Sequence, residues 1–299
     1  RRFWFEPPFH NGQSALLHKQ PDNIYRIDLQ LGWDADPEAE KRPEKVIPRI
    51  EKVVGHGSFR LDWVSVYTFQ CRRLESFVHG PVIFAGDSAH VVSPFGARGG
   101  NGGLDDVAAL GWRLAAVLDG RAKPTILSAY DRERTYGADE NILNSTRSTR
   151  FMTPAPGPER LFRDEVLKLA AVADFARPMV NSGRLSKPCV YPLEAPDDPR
   201  LPPASRPGAV APDAPQGKGW LTEALGSEVT LLAIGTEPPA TRLSSLKAEL
   251  NDAVAARYLG DAGQALYLIR PDQVVAARWV SAGVEEIEAA ETALWEEPR

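Results

Sequence analysis

"VIFAGDSAHVVSPFGARGGNGGLDD", Val82 to Asp106, decides the reading of this 299-residue chain. Its first residues, Val82 to Gly86, form a continuous apolar run, the mark of a strand buried on both faces. Asp87 stops that run, and five glycines fall within the eight positions from Gly96 to Gly103. Beyond them Leu104, Val107, Ala108, Gly111, Leu114, Ala115 and Leu118 share one stripe of a helix, with Asp105 and Asp106 in its first turn, where carboxylates complement the N-terminal dipole. Glycines before a helix leave backbone N–H groups open to a ligand, since no side chain holds it off. A phosphate-cradling loop needs GxxxxGK[ST], and no lysine stands at that spacing. A dinucleotide fingerprint needs GxGxxG directly after the strand, whereas Gly100-Asn101-Gly102 lies well beyond Gly86 and runs into Asp105. What remains is a helix N-terminus that meets a flat, partly anionic ring, with Asp87 handling hydroxyl groups beside it.

Composition bounds the rest. With 43% hydrophobic and 25% charged residues the chain reads as a soluble globular protein of one large or two medium domains. A formal charge of −5 argues against nucleic acid as the main partner, which requires a basic face. Cys71 and Cys189 stand in unlike contexts, so neither a disulfide framework nor a CxxC site is expected, which points to a reducing compartment. No apolar run has the length of a membrane span and no signal segment opens the chain, so no membrane contact and a cytoplasmic location are expected. The five histidines, 10, 18, 56, 79 and 90, show no metal spacing, and His90 reads as a structural hydrogen-bonder.

Asn23 to Leu31 alternates as a strand with one buried face. Leu61 to Phe69, "LDWVSVYTF", reads as a second strand without a polar face, its Trp63, Tyr67 and Phe69 either core or the wall of an apolar cavity. Between them Val46, Ile50 and Val53 or Val54 recur at helical spacing, with Pro48 requiring a late start. Two further helices follow the glycine helix, from Thr125 to Met152 and from Pro158 to Val180. Nine prolines between Pro188 and Pro215 rule out regular structure there and mark a linker or a surface-hugging strap. The tail then reads β-α-β-β-α: a strand at Glu228 to Gly235, a helix around Leu243 to Tyr258, strands at Ala265 to Pro271 and Gln273 to Val280, and a last helix from Val284 to Trp295. The expected division is 1–80, a small sheet with a helix; 81–187, the glycine stretch with its helices; 188–215, the proline-rich segment; and 216–299, a small α/β module.

"GDSAH" (Gly86 to His90), "SPFGARGGNGG" (Ser93 to Gly103) and the following "LDDVAALGWRLAAVL" together resemble the FAD-dependent aromatic hydroxylases, the class A flavoprotein monooxygenases. The resemblance implies a mixed α/β fold, in which 1–80 is part of the substrate domain and 81–187 the C-terminal part of the FAD-binding domain. It implies that Gly86 and Asp87 meet the ribityl chain of FAD, that Pro94 lies beside the flavin, and that the backbone of Gly99, Gly100, Asn101 and Gly102 meets the pyrimidine edge of the ring. Physics agrees, since an ionised carboxylate only accepts hydrogen bonds and suits a polyol. "ENILNSTRSTRFMTP", the strap and the tail are similar to the hydroxylases of phenols and phenylpropionates, whose C-terminal domain is thioredoxin-like. Without CxxC that module is expected to dock or dimerise and to do no redox chemistry. The family's opening GxGxxG segment, which holds the ADP half of FAD, has no counterpart in this sequence, so the chain resembles the C-terminal portion of such an enzyme.

The implied activity is hydroxylation of a small aromatic substrate: NAD(P)H reduces FAD, oxygen adds to it, and the flavin hydroperoxide attacks a phenolic ring. The sequence offers no candidate for the base. Arg98 reads equally as a solvated loop residue or as a flavin-edge residue. Two alternatives stand beside this reading: a scaffold or dimerisation module that does not hold FAD alone, and an FAD enzyme of another reaction type.

Overall fold

The structure is a computed structural model that describes residues 1–10, 12–32, 34–55, 57–180 and 186–296. The chain forms two compact units, Arg1–Gln70 with Asn144–Arg184, and Cys71–Leu143 with Leu185–Arg299.

In the first unit the strands Arg2–Trp4, Ala15–Lys19 and Tyr25–Leu29 form an antiparallel sheet in sequence order, with Leu17 opposite both Arg2 and Ile27. The alternation read in "NIYRIDLQL" is therefore a strand. Its Tyr25 is exposed, so the expected buried face is only partly covered. A helix spans Pro43–Val54 and stops at Gly55, whose φ of 80° suits the left-handed stop. Pro48 lies inside this helix instead of delaying its start. It does so because Pro43 already starts the helix and no residue of it is buried, so the carbonyl that Pro48 leaves without a donor can be solvated. A further helix spans Pro158–Val172, where the buried Arg163 donates to Glu6 at 2.7 Å.

Leu61 to Phe69 is not a strand. β-branched and aromatic residues suit a pleated surface only when a neighbour pairs and covers them. Among the described residues no strand pairs with this segment, and Trp63 and Tyr67 are 80% and 71% exposed. The core reading of these two residues is thereby corrected.

In the second unit the run Val82 to Gly86 yields only a two-residue strand, Val82–Ile83, paired with Val78–His79. Continuous apolarity needs strands on both sides to become a central strand, and no others flank it among the described residues. Gly86–Ser88 then makes a single tight turn. The glycine helix runs Arg98–Leu118 and starts at Arg98, before the glycines end. The helix Leu127–Met152 follows.

The tail carries a four-stranded sheet. Thr230–Ile234 lies at its centre, parallel to Ser244–Lys247 on one side and antiparallel to Ala265–Ile269 on the other, and Val275–Trp279 pairs antiparallel beyond that. Side-chain alternation splits the buried residues into two layers. Leu232, Ile234, Tyr267 and Ile269 pack with Leu221, Leu225 and Tyr258. On the opposite face Leu231, Ala233, Leu266, Leu268 and Trp279 pack on Ile287 of the last helix, Val284–Trp295. The helix expected around Leu243 to Tyr258 is instead the strand Ser244–Lys247, then a helical turn at Asp252–Val254 capped by Asn251, then a wider turn at Ala255–Leu259. Leu243, Leu246 and Leu250 recur at helical spacing, but pairing with Thr230–Ile234 prevails.

The proline-rich segment is a strap. Its backbone is bonded to the last strand of the sheet, with Gly208 N–H donating to Val275 O at 2.8 Å, Val275 N–H to Ala209 O at 2.8 Å and Ala211 N–H to Gln273 O at 2.8 Å. Its own Leu201, Ser205, Ala211 and Ala214 are buried.

Candidate flavin-facing site

Three local features bring the GD turn and the glycine helix together. Gly86 adopts φ 58°, open to glycine alone without strain, and a Cβ on Gly103 would stand 3.4 Å from Gly86 Cα. The turn is held by Ser88 Oγ, which donates to Ala85 O at 2.7 Å. The Asp106 carboxylate closes the joint, accepting from Gly86 N–H at 2.7 Å and from His90 Nε2 at 2.7 Å through Oδ2. Asp87, exposed, thus sits on a turn fixed against the start of the helix.

The helix start has no side-chain cap. Its N-cap, Ala97, lies in the left-handed region at φ 51°, a conformation that costs a residue with a Cβ about 1–2 kcal/mol. The first-turn amides of Arg98, Gly99 and Gly100 therefore have no intrahelical acceptor and end a 21-residue dipole. A Cβ built on Gly100 would meet nothing, so that face is open, whereas one on Gly99 would touch Val92 at 3.6 Å. Asn101 is exposed and returns its Nδ2 to Ala97 O at 2.6 Å. Gly102 points inward, where a Cβ would stand 3.1 Å from His90 and 3.2 Å from Asn141. Pro94 is exposed on the loop just before the helix. Arg98 is half-buried and its Nε, fully covered, has no partner; desolvation lowers its pKa against the opposing charge of Glu140.

Beneath this surface lies a buried set of charges that sequence reading missed. Arg134, with no exposure, donates through Nε to Asp106 Oδ1 at 2.5 Å, through Nη1 to the Tyr191 hydroxyl at 2.6 Å and through Nη2 to Gly102 O at 3.1 Å. Burial alone would raise the Asp106 pKa, but the His90 hydrogen bond and the Arg134 charge outweigh it and hold the carboxyl below its usual range. For its neighbour Asp105, burial outweighs the Arg134 charge and pushes the carboxyl up. His90, buried and bonded to Asp106, also stacks on Phe77 at 5.7 Å, a structural hydrogen-bonder as expected. Next to Arg134, Glu133 accepts from Arg113 at 2.8 Å and from both ends of the Arg270 guanidinium at 2.7 and 2.8 Å, and Arg270 also holds Asp272. Trp112 donates to Asp272 at 3.1 Å and packs on Trp295.

The glycine helix therefore buries a polar face: Gly102, Asp106, Ala109, Arg113 and Ala116. The apolar stripe read in the sequence points out, with Leu104, Val107 and Leu118 at 69%, 62% and 78% exposure. Asp106 and Arg113 were legible as charges recurring on the opposite side of that helix. His56 lies outside the described residues.

The residues present fit the flavin half of FAD. Free amides, an open glycine surface, a covered guanidine N–H without a partner and an exposed carboxylate on an abutting turn are what a planar ring with acceptor oxygens and a polyol chain require.

The comparisons agree. A family profile described as an FAD binding domain matches residues 17–145. The 12-dehydrotetracycline 5-monooxygenase/anhydrotetracycline 6-monooxygenase of Streptomyces rimosus is 30% identical over 284 residues, 90% of this chain and 54% of that protein. A 3-(3-hydroxy-phenyl)propionate/3-hydroxycinnamic acid hydroxylase of Mycolicibacterium gilvum is 40% identical over 159 residues, 52% of this chain and 27% of that protein. In fold, the flavin-dependent monooxygenase PieE superposes with a TM-score of 0.74 at 19% identity, over 98% of this chain and 61% of PieE. Aklavinone-11 hydroxylase does so at 0.61 and 22% identity, over 94% of this chain and 56% of that one. The chain thus spans roughly a quarter to a half of the length of the curated relatives it matches. By the matched FAD binding domain, these relatives and the shared mixed α/β fold, the chain is similar to FAD-dependent hydroxylases and monooxygenases.

Proposed function

We propose that this chain forms the flavin-facing wall of an FAD-dependent monooxygenase that uses NAD(P)H to hydroxylate a small phenolic substrate. The observation that carries this is the GD turn fixed against an uncapped glycine helix start. When bound, FAD supplies the electron transfer and oxygen activation that no side chain here can provide. The chain's own part is to bind and orient. Asp87 accepts from ribityl hydroxyls, and the amides of Arg98, Gly99 and Gly100, with the helix dipole, favour negative charge on the pyrimidine edge by about 0.3–2 kcal/mol. Gly86, Pro94, Asn101 and Gly102 complete the cofactor wall. Trp63, Tyr67 and Phe69 are the substrate-facing residues; the exposure of the first two supports a ligand role over a packing one. The outward apolar stripe Leu104, Val107 and Leu118 supports a longer protein, because such a face on a helix is ordinarily covered. The tail is a thioredoxin-like docking or dimerisation module without redox chemistry, supported by its central strand with one parallel and one antiparallel neighbour and by a closing helix. The division 1–80, 81–187, 188–215 and 216–299 describes these roles.

Titrating the 299-residue chain with FAD, followed by flavin fluorescence and co-elution on gel filtration, tests the cofactor. Retention of flavin, lost in Asp87→Ala, is expected. A second reading, a scaffold that holds no FAD alone, draws on the share of its relatives that the chain spans; absence of retained flavin at saturating FAD would establish it. NADH oxidation with a panel of phenols, scored for hydroxylated product, separates hydroxylation from other flavin reactions.

A further inference from the structure

We infer that Tyr191, in the proline-rich strap, is a positioning residue for the cofactor wall, acting through Arg134 on the Gly102 carbonyl and the Asp106 carboxylate. The inference rests on the flavin reading of that wall only for its ligand.

Tyr191 is nearly fully buried and its hydroxyl accepts from Arg134 Nη1 at 2.6 Å. Its position is not adjustable. Its N–H donates to Gly208 O at 3.0 Å, and Gly208, at φ 83°, lies so close that a Cβ there would fall 1.9 Å from Tyr191 O. The Arg270 guanidinium lies 5.9 Å from the Tyr191 ring. Arg134 is fitted as tightly: a Cβ on Gly137, one turn along the same helix, would stand 2.7 Å from Nη1. With Nη1 fixed by Tyr191, the planar fork has one orientation left, the one that places Nε on Asp106 and Nη2 on Gly102. Those two contacts grip the glycine helix at its second and third turns, below the open amides. Four glycines in the first six residues of that helix give it little intrinsic tendency to hold its shape, so its geometry depends on this grip. The strap therefore reaches the cofactor wall through two side chains.

Amide hydrogen exchange of the 299-residue chain without FAD, in the wild type, Tyr191→Phe and Gly137→Ala, reads the grip directly. Exchange at Gly102 to Asp106 is expected to quicken at least tenfold in both variants, while the strand Thr230–Ile234 keeps its wild-type protection. Unchanged exchange at the helix start, or equal loosening of that strand, overturns the proposal, the second result marking Tyr191 as merely structural. In parallel, FAD titration is expected to show five- to thirtyfold weaker binding in Tyr191→Phe. If the wild type takes up no FAD, the flavin reading falls while the exchange result still decides the role of Tyr191.

Discussion

Asp106 shows how one carboxylate organises the site. It accepts from a backbone amide, an imidazole and a guanidinium, joining the GD turn, the short strand holding His90 and the helix Leu127–Met152. Removing its charge while keeping its shape leaves Arg134 buried against a neutral partner. Asp106→Asn is therefore expected to lose about 3–5 kcal/mol of stability, measured by urea denaturation, because breaking a buried pair strands the other ion. The sequence placed Asp106 in the first turn of a helix as a dipole partner. Its real role was illegible because it depends on Arg134 and His90, far off in sequence and brought near only by the fold. Asp87 and the glycines were legible, since their chemistry is local: a carboxylate at a turn and a backbone without side chains.

The element that matters most is the start of the glycine helix, where two opposed costs meet. Ala97 pays for a left-handed conformation, and Ala97→Gly, relieving about 1–2 kcal/mol of strain against about 0.5–1 kcal/mol of added chain entropy, is expected to raise stability by up to about 1.5 kcal/mol. Gly100 makes the opposite case. A Cβ there meets nothing, so Gly100→Ala is expected to add roughly 0.5–1 kcal/mol to stability. If a ring lies flat on that surface, the same methyl group weakens FAD binding, so thermal denaturation and flavin titration of this one variant are expected to move in opposite directions. Pattern reading found this helix and its apolar stripe, but the stripe points outward while Asp106 and Arg113 point inward. It likewise made a strand of Leu61 to Phe69, where propensity finds no partner, and a helix of Leu243 to Tyr258, where strand pairing overrides spacing.

At the scale of the second unit, the glycine helix, the long helix and the tail are joined by buried ions, which gives the protein a particular response to acid. For Asp106, Glu133 and Asp272, burial raises the pKa, and in each case neighbouring partners more than reverse it: the His90 hydrogen bond and the Arg134 charge for the first, Arg270 and Arg113 for the other two. A carboxyl whose pKa is lower folded than unfolded lends stability above the unfolded value and loses it as pH falls through the folded one. Urea midpoints are therefore expected to hold from pH 7 to pH 5 and to fall steeply below about pH 4, near the unfolded carboxyl pKa. Glu133→Gln should flatten that slope as it lowers the neutral-pH midpoint. The tail strands were legible as short apolar runs between turn residues, whereas their union with the glycine helix through Glu133 and Arg270 was not, as no local pattern announces a pairing across 137 positions.

The quartet of Arg113, Glu133, Arg270 and Asp272 has two positive and two negative members, packed where water does not reach them. A lineage that replaces any one of them passes through a protein with an unmatched ion in its interior, and only a second, complementary replacement restores the balance. Drift at these four positions is therefore expected to proceed in compensated pairs, with the tail and the glycine helix changing together even though the strap and much of the chain lie between them.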